Sequence, residues 1–259
     1  AKPSALIGHS MGENAAACIA GVMRLEDAMK LVLIRGQLFE KSPEGGMLSI
    51  SLPLDEARTY MPEDMDVAAV NAPDLCVASG AVAAIDRLQA TLEEKDIACN
   101  RVRIEVAAHS RMLECIIEDF RSYLRSIELS PPEIPFTSNL TGDWITDEQA
   151  TDPNYWVDHL RNTVRFEDNI NTVLADEPRI LVEIGPGRIL TNLARANANK
   201  ANAIFNSMRH PNEPDSDLEF ALRTLGTIWA NGVAIDWKQF RGEERRRRVP
   251  LPTYPFERK

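Results

Sequence analysis

A short stretch near the start of the chain, ALIGHSMGE, restricts the possible folds more than any other part of the sequence. It places Ser10 in a Gly-x-Ser-x-Gly pattern between apolar residues and the small residues of NAAACIAG. An apolar strand, a sharp turn and a helix in this order form a nucleophile elbow, in which glycines allow the turn without Cβ clashes. The pattern therefore predicts a strand ending at Ile7, a helix over Met11 to Ile19 and an exposed serine between them.

The start of that helix favours negative charge beside the serine. Its first N–H groups lack partners within the helix, and they lie at the positive end of the helix dipole. The backbone N–H of Met11 is therefore a candidate donor to the oxyanion that forms when Ser10 attacks a carbonyl. The alternative interpretation is a Gly/Ser turn that fits the pattern by coincidence.

A serine hydroxyl needs a base to act as a nucleophile, and the chain has four histidines. We favour His109, because it ends a predicted strand in IEVAAHS, where a residue can reach into a cleft. His9 adjoins the serine, and neighbours in an elbow point in different directions. His159 lies in a helical stretch and His210 in a polar loop, so neither is the preferred base.

An arginine interrupts the apolar face of the second predicted helix, which runs from about Leu25 to Lys41. Arg35 stands four residues after Leu31 and three after Val32, near the middle of the apolar stripe. Burying an unpaired guanidinium costs several kcal/mol, roughly, by the desolvation argument. Its planar fork suits a carboxylate. That carboxylate is either an intramolecular partner or a bound ligand, unless the side chain snorkels to solvent.

The remaining pattern divides the α/β chain into a core, an inserted subdomain and a tail. Residues 46–104 read as βαββαβ, the ferredoxin-like order. Residues 1–45 and 105–240 form a hydrolase-like core with a parallel sheet, and residues 241–259 a proline-containing linker. Further predicted core elements are strands in IPFTSNL and RILVEIG, and helices over Met112 to Ile127, in GRILTNLARAN and over Leu218 to Asn231.

Composition limits the partners and the compartment. The 259 residues carry a net charge of −10, which repels nucleic acid backbones and anionic membranes. No apolar run is long enough to cross a bilayer, and the first residues do not resemble a signal peptide. The four cysteines are scattered without a CxxC pair, which predicts reduced thiols in a cytoplasmic protein and no metal site.

Ser10, Arg35 and His109 stand in segments that together resemble the acyltransferase domain of modular type I polyketide synthases, in the malonyl-CoA:acyl carrier protein transacylase family. GHSMGE is similar to the family's nucleophile motif, LVLIRGQLF to the stretch whose arginine binds a malonyl carboxylate, and VAAHS to the segment ending in its catalytic histidine. SNLTGDWIT, YWVDHLRNTVRF and LVEIGPGRIL follow in the family's order, and RRVPLPTYPFER resembles the linker that trails such domains. The resemblance extends from end to end of the chain.

The resemblance implies a role for each of these residues. Ser10, with His109 as base, would take an extender acyl unit from an acyl-CoA, and Arg35 would bind its distal carboxylate. The phosphopantetheine thiol of an acyl carrier protein would then receive the unit, without a permanently bound cofactor. The family's Ser–His dyad is oriented by a backbone carbonyl, which alignment with TVRF assigns to Arg165. Linkers would join the domain to a neighbouring ketosynthase.

The segment before His109 leaves the choice of acyl group open. In the family, His-Ala-Phe-His tends to mark malonyl enzymes and Tyr-Ala-Ser-His methylmalonyl ones, whereas this chain has Val106, Ala107 and Ala108 before the histidine. Because Met11 stands where methylmalonyl enzymes often have glutamine, the resemblance favours malonyl. Ala108 in place of phenylalanine leaves room for a methyl branch, so methylmalonyl is the alternative.

The resemblance also implies a departure from the family. By the usual domain size, the family's fold begins roughly 80 to 90 residues earlier, in a segment with a Gly-Gln-Gly-type loop whose glutamine completes the oxyanion hole. The sequence contains no such loop. We therefore expect an incomplete core, and loss of one oxyanion donor typically costs about 10²–10³ in rate.

Two other functions remain as alternatives. An α/β-hydrolase-type esterase or thioesterase shares the elbow, and His210 could be its late histidine. That class offers no role for Arg35 or for the inserted subdomain. The other alternative is an inactive fragment of an acyltransferase that no longer turns over.

Overall fold

The elbow is present in the computed structural model, which describes residues 2–177, 179–197, 203–244 and 249–253. The strand predicted to end at Ile7 is reduced to a single parallel bridge between Leu6 and Phe136, so the turn and the helix are the parts of the elbow that form as predicted. After the turn, helix α1 covers Met11–Ile19, as predicted. The small residues Ala16 and Ala17 are buried, which lets this helix pack closely in the core.

Helix α2 covers Leu25–Phe39 and carries the arginine on its buried side. It ends at Phe39, two residues before the predicted end, and Glu40 is its C-cap. Leu31 and Leu38 are buried as the apolar stripe predicts, but Val32 is exposed at 41%. The buried stripe is therefore narrower than predicted, and Arg35 lies within it.

The segment predicted as βαββαβ forms these elements in that order. They are β1 (Gly45–Ile50), α3 (Leu54–Arg58), β2 (Asp66–Ala72), β3 (Leu75–Ala81), α4 (Val82–Glu94) and β4 (Cys99–Arg101). The strands are ordered β4-β1-β3-β2, with antiparallel neighbours. Helix α4 buries Ala84, Ile85, Leu88 and Leu92 at helical spacing against this sheet. The division of the chain at residues 46 and 104 stays a prediction.

A short strand from the core extends this sheet at its β2 edge. Strand β5 (Val164–Arg165) pairs in parallel with β2, and helix α8 (Phe166–Leu174) follows directly. The buried side chain of Phe166 packs in the same cluster as Val164. Phe166 also lies beside the elbow, with its ring centroid 5.2 Å from that of His9.

Several predicted core elements differ from the structure. The helix expected over Met112 to Ile127 is a 3-10 helix, Arg111–Ile116, followed by α5, Ile117–Leu124. The strand expected in IPFTSNL is reduced to isolated bridges, because the Ser138 hydroxyl accepts hydrogen bonds from the N–H groups of Leu140 and Thr141 and closes a turn.

The strand expected at IEVAAHS is likewise only a bridge, between Glu44 and Val106. Beyond it, Ser110 caps the 3-10 helix: its hydroxyl accepts from the N–H of Met112 at 3.2 Å and donates to the carbonyl of Ala107 at 2.6 Å. This local capping ends the extended segment at His109.

The second core segment completes an α/β fold, which confirms the predicted class. Its other elements are α6 (Asp147–Thr151), α7 (Pro153–Arg161), β6 (Leu181–Pro186), α9 (Ile189–Asn197), β7 (Ile204–Met208), α10 (Asp217–Ala230) and α11 (Trp237–Arg241). Strands β6 and β7 pair in parallel. Of the predicted linker, residues 245–248 and 254–259 lie outside the described residues. Among those that are described, no helix has the length and apolarity needed to span a bilayer.

Candidate functional site

Ser10 occupies a strained turn that aims its hydroxyl at a histidine. Its backbone has φ 52° and ψ −116°, in a region that L-residues rarely adopt. The turn is so tight that a Cβ on Gly8 would lie 2.1 Å from the backbone nitrogen of Glu13. Only glycine fits there, and the serine Oγ lies 2.7 Å from Nε2 of His109.

His109 is held in the tautomer that a general base requires. Its Nδ1 lies 2.9 Å from the carbonyl oxygen of Asn162, so the Nδ1–H donates there and Nε2 accepts from the serine hydroxyl. Burial, followed by the positive charge of Arg35 and the nearby His9, lowers the pKa of His109 to about 3. The imidazole is therefore neutral near pH 7 and can accept a proton.

Arg35 lies beside the serine without a carboxylate partner. It is 6% exposed, and one guanidinium nitrogen lies 3.2 Å from the serine Oγ. Its Nε is buried without a hydrogen bond, and its guanidinium stacks on Phe39 at 5.1 Å from the ring centroid. Burial lowers the pKa of Arg35 to about 10, so the group stays charged at neutral pH. Within the described part of the chain, this charge faces the nucleophile unneutralised.

Comparison with known proteins identifies the family of the chain. The family described as "Acyl transferase domain" matches residues 1–234. The chain belongs to the acyl transferase domain family. This acyltransferase domain is 38% identical over 263 residues to a phenolphthiocerol/phthiocerol polyketide synthase of Mycobacterium tuberculosis, and 35% identical over 268 residues to the spectinabilin polyketide synthase system protein NorB of Streptomyces orinoci.

Solved acyltransferase domains have the same fold. The acyl transferase domain of ZmaA superposes with a TM-score of 0.88 at 41% identity, and that of the second module of the salinomycin polyketide synthase with 0.87 at 37%. Both cover 97% of this chain, which spans 59% and 60% of theirs. The acyltransferase domain spans 17% and 12% of the two curated relatives, whose matches cover 99% of it.

The carbonyl that orients His109 belongs to Asn162, so the prediction of Arg165 was wrong. Helix α7 ends at Arg161, and Asn162 leaves it in an extended conformation, with φ −100° and ψ 172°. Arg165 lies three residues further on, in strand β5, where its backbone pairs with β2 and its N–H donates to the carbonyl of Asn139. The backbone of Arg165, which the alignment assigned to His109, is therefore used in strand pairing instead.

The predicted oxyanion donor is free to bind a ligand. In the part of the chain that the structure describes, the Met11 N–H has no hydrogen-bond partner, since the first bonds of the turn run from the N–H groups of Gly12 and Glu13 to the carbonyls of His9 and Ser10. Met11 as a whole residue is 43% exposed. The N–H of Ser10 itself is already bonded, 2.8 Å from the Oδ1 of Asn139.

The three residues before His109 are close to the site, but they do not all face it. Val106 pairs with Glu44. Ala107 is buried against the backbone of Gly45, so closely that a Cβ on that glycine would lie 2.6 Å from the alanine Cβ. Ala108 is also buried. Ala107 therefore contributes first to the packing between core and inserted sheet.

The other histidines do not replace His109. His9 bonds through Nε2 to the Oδ1 of Asn71 at 2.8 Å. His159 is buried and packs edge-on against His109, with ring centroids 6.2 Å apart. His210, the late histidine of the esterase alternative, lies in a loop against Gly187. Of the four histidines, His109 is the one that is hydrogen-bonded to the serine hydroxyl in the described structure.

Several residues of the site carried no recognised signal in the sequence. Glu13, Asn139, Tyr155 and Asn162 all contact the elbow, its base or each other. Glu13 reads as an ordinary first-turn acid of a helix, which is normally exposed. A polar residue at the buried face of α1 is the only hint that could have found it. Among the described residues, no cluster of His, Cys, Asp and Glu has the geometry of a metal site.

Proposed function

We propose that this domain transfers a carboxyl-bearing acyl group from coenzyme A to the phosphopantetheine thiol of an acyl carrier protein, through an ester on Ser10, in polyketide biosynthesis. One observation carries the proposal. A serine–histidine pair at 2.7 Å stands 3.2 Å from a buried, unneutralised arginine. A hydrolase of simple esters has no use for a buried cation at the nucleophile, whereas a dicarboxylic acyl group supplies its missing partner.

The first half-reaction forms the ester. The Oγ of Ser10 attacks the thioester carbon while Nε2 of His109 takes the hydroxyl proton. The Met11 N–H stabilises the oxyanion. The C–S bond then breaks, and the imidazolium returns its proton to the leaving sulfur, so that free coenzyme A departs and the acyl-serine remains.

The second half-reaction reverses these roles. The carrier's phosphopantetheine thiol gives its proton to Nε2 of His109, and its sulfur attacks the ester carbon. The Oγ of Ser10 leaves and recovers the proton from the imidazolium. The Asn162 carbonyl keeps the histidine in the same tautomer throughout, because it holds the Nδ1–H in both steps.

Arg35 selects the substrate by its charge. A guanidinium pairs with a carboxylate through two parallel N–H···O bonds, and the unbonded Nε leaves one of its donors available. A solved relative, the acyl transferase domain of SpnD, is 42% identical and was crystallised with a substituted malonyl group. Malonyl is the favoured acyl group here, and methylmalonyl is the alternative that Val106, Ala107 and Ala108 leave open.

The proposed setting is a cytoplasmic multidomain synthase. The curated relatives are polyketide synthase proteins several times longer than this chain. A neighbouring ketosynthase and a carrier protein would use the product, and the phosphopantetheine would arrive on the carrier. The domain itself would hold no permanent cofactor and bind neither nucleic acid nor membrane.

Intact-protein mass spectrometry tests the proposal directly. The chain is mixed separately with malonyl-CoA and methylmalonyl-CoA, and Ser10→Ala is the control. We expect an adduct of one acyl mass on the chain and none on the Ser10→Ala protein, and the higher yield identifies the preferred acyl group. A folded chain that gains no adduct from either thioester would contradict the proposed function.

A further inference from the structure

A buried polar cluster lies directly beneath the nucleophile. Its members are Glu13, Ser138, Asn139 and Tyr155, and none of them is more than 6% exposed. Glu13 has no exposed surface at all. Polar groups are expensive to bury unless they are hydrogen-bonded, so a cluster of four at the active serine calls for a specific role.

Asn139 clamps the backbone of the elbow directly before the serine side chain. Its Oδ1 accepts the backbone N–H of Ser10 at 2.8 Å, and its Nδ2 donates to the carbonyl of Gly8 at 2.8 Å. One amide side chain therefore fixes the peptide groups on either side of His9. The Ser10 conformation, at φ 52°, is unfavourable by itself and persists only where its surroundings hold it.

Glu13 in turn fixes the clamp. Its Oε2 accepts the backbone N–H of Asn139 at 2.7 Å. Its Oε1 is hydrogen-bonded to the hydroxyl of Tyr155, which also lies 2.7 Å from the Oγ of Ser138. The carboxyl thus joins helix α1, just after the nucleophile, to the turn that carries the clamping amide. No other described side chain bonds the N–H of Asn139.

The carboxyl at the centre of the network carries a proton near pH 7, because burial raises the pKa of Glu13 to about 8. The Tyr155 hydroxyl is hydrogen-bonded to Oε1 of Glu13 and to the Oγ of Ser138, and the N–H of Asn139 donates to Oε2. Nε2 of His159 lies 3.4 Å from the same Oε2, and burial lowers the pKa of this histidine, so it faces the carboxyl as a neutral ring.

The length of the side chain matters as much as its protonation. A glutamine at position 13 reproduces the hydrogen bonds of the protonated carboxyl, with its amide donating to the tyrosine oxygen. An aspartate is one methylene too short to reach both Tyr155 and the backbone of Asn139.

We propose that Glu13 is a positioning residue for acyl transfer: through Asn139 it holds Ser10 in the conformation that aims Oγ at Nε2 of His109. The role rests on the proposed function. It is separate from substrate binding, because neither oxygen of the buried carboxyl is open to a ligand. A displacement of about 1 Å at a reacting group can cost on the order of 10² in rate.

The test compares four variants by single-turnover acylation with malonyl-CoA. They are Glu13→Ala, Glu13→Gln, Glu13→Asp and, as a matched control, Glu26→Ala, which alters an exposed glutamate in the first turn of α2. We expect Glu13→Ala to slow acylation by about 10- to 100-fold with little change in the half-saturating concentration. Glu13→Gln should stay within about threefold of the parent rate, since it keeps the hydrogen-bond geometry. Glu26→Ala should match the parent.

The pairwise link is tested by a double-mutant cycle. If Glu13 acts through Asn139, the double variant Glu13→Ala/Asn139→Ala should be no slower than Asn139→Ala alone. Fully additive effects would overturn the proposal. So would a folded Glu13→Ala protein that acylates at the parent rate. If the Glu13→Ala protein does not fold, the acylation rates of Glu13→Asp and Glu13→Gln are compared instead. A higher rate for Glu13→Asp than for Glu13→Gln would show that the charge of residue 13 matters and would overturn the positioning role.

A second readout separates this inference from the proposed function. A fluorophosphonate probe labels any activated serine and needs neither coenzyme A nor a carboxylate. Labelling of the parent chain that is slowed in Glu13→Ala and restored in Glu13→Gln supports the positioning role even if no acyl-CoA is accepted. Labelling at one rate in all variants would overturn it.

Discussion

Ser10 and His109 both have left-handed backbones, with φ 52° and 56°. Among the described residues, Asp96 is the only other non-glycine residue with positive φ. Such conformations cost about 1–3 kcal/mol each and tend to collect where function requires them. Two of the three positions form the proposed dyad, so the strain marks the same residues as the chemistry.

Arg35 carries the sharpest prediction at this scale. Arg35→Ala should lower the rate of acylation by malonyl-CoA about 10- to 100-fold, because charged hydrogen bonds contribute about 1.5–3 kcal/mol and 1.4 kcal/mol is tenfold. Acylation by acetyl-CoA, which has no distal carboxylate, should not fall. The measurement is the ratio of the two rates, and an equal loss with both substrates would contradict carboxylate recognition.

At the scale of the elements, the sharp turn before helix α1 is possible because residue 8 is a glycine. A Cβ on Gly8 would lie 2.1 Å from backbone atoms of the following helix, whereas a Cβ on Gly12 would meet nothing within 4 Å. These two glycines belong to the same motif, yet only the first is required by the close approach of strand and helix. The motif's second glycine stands inside α1, where alanine has the better helix propensity.

Alanine substitutions at these two glycines form a matched pair. Gly8→Ala should destabilise the chain by at least about 3 kcal/mol, since backbone atoms cannot yield to a Cβ. Gly12→Ala should be neutral or stabilising by up to about 1 kcal/mol. Urea unfolding measures both, and similar stabilities for the two variants would contradict the close approach at Gly8.

At the scale of the whole molecule, the chain enters and leaves the βαββαβ sheet at neighbouring positions. Gly45 N–H donates to the carbonyl of Glu105 at 3.2 Å, and Glu44 pairs with Val106. This arrangement brings His109 to Ser10 across 99 positions of sequence. The same closure lets the core and the inserted sheet each keep a hydrophobic cluster of their own.

The buried titratable groups predict a maximum of stability near pH 7. Burial lowers the pKa values of His9, His109 and His159 below their ordinary 6.5. Unfolded histidines bind protons below pH 6.5 that the folded ones do not bind, so acid destabilises the fold. Glu13 acts in the opposite sense: it keeps its proton up to about pH 8 when folded but loses it near 4.5 when unfolded.

Below about pH 6.5 the three histidines outweigh the one carboxyl, and above about pH 7, where the unfolded histidines are mostly neutral, the carboxyl dominates. We expect the free energy of unfolding to fall by about 1 kcal/mol from pH 7 to pH 9. Glu13→Gln should remove that decline and make the rise in stability between pH 4.5 and 6.5 steeper, whereas Glu26→Gln should change neither. Urea unfolding as a function of pH measures this, and a parent chain with no decline would mean that Glu13 is ionised in the folded protein.

Much of the fold could be predicted because its determinants are local. Helix α1 and the βαββαβ order follow from glycines, small residues and apolar periodicity within short windows. The predictions were wrong where side chains bonded backbone groups that a strand would have used. In the expected strand IPFTSNL, the Ser138 hydroxyl accepts from two backbone N–H groups and closes a turn. The helix expected after Ser110 began as a 3-10 helix for a related reason, since that serine caps its first turn tightly.

The sequence alone was enough to predict that Ser10, His109 and Arg35 belong to one site, because residue type and position within a motif can mark a serine in a sharp turn or a cation on an apolar face. The structure brings the three side chains together, and their catalytic roles stay predictions. Only the tertiary structure decided how they are held. The carbonyl that orients His109 comes from Asn162, not Arg165, and the clamp on Ser10 comes from Asn139, 129 positions away. Such contacts depend on which distant segments of the chain pack together. Backbone carbonyls and single buried amides produce no periodic pattern in the sequence, so these contacts cannot be predicted from it.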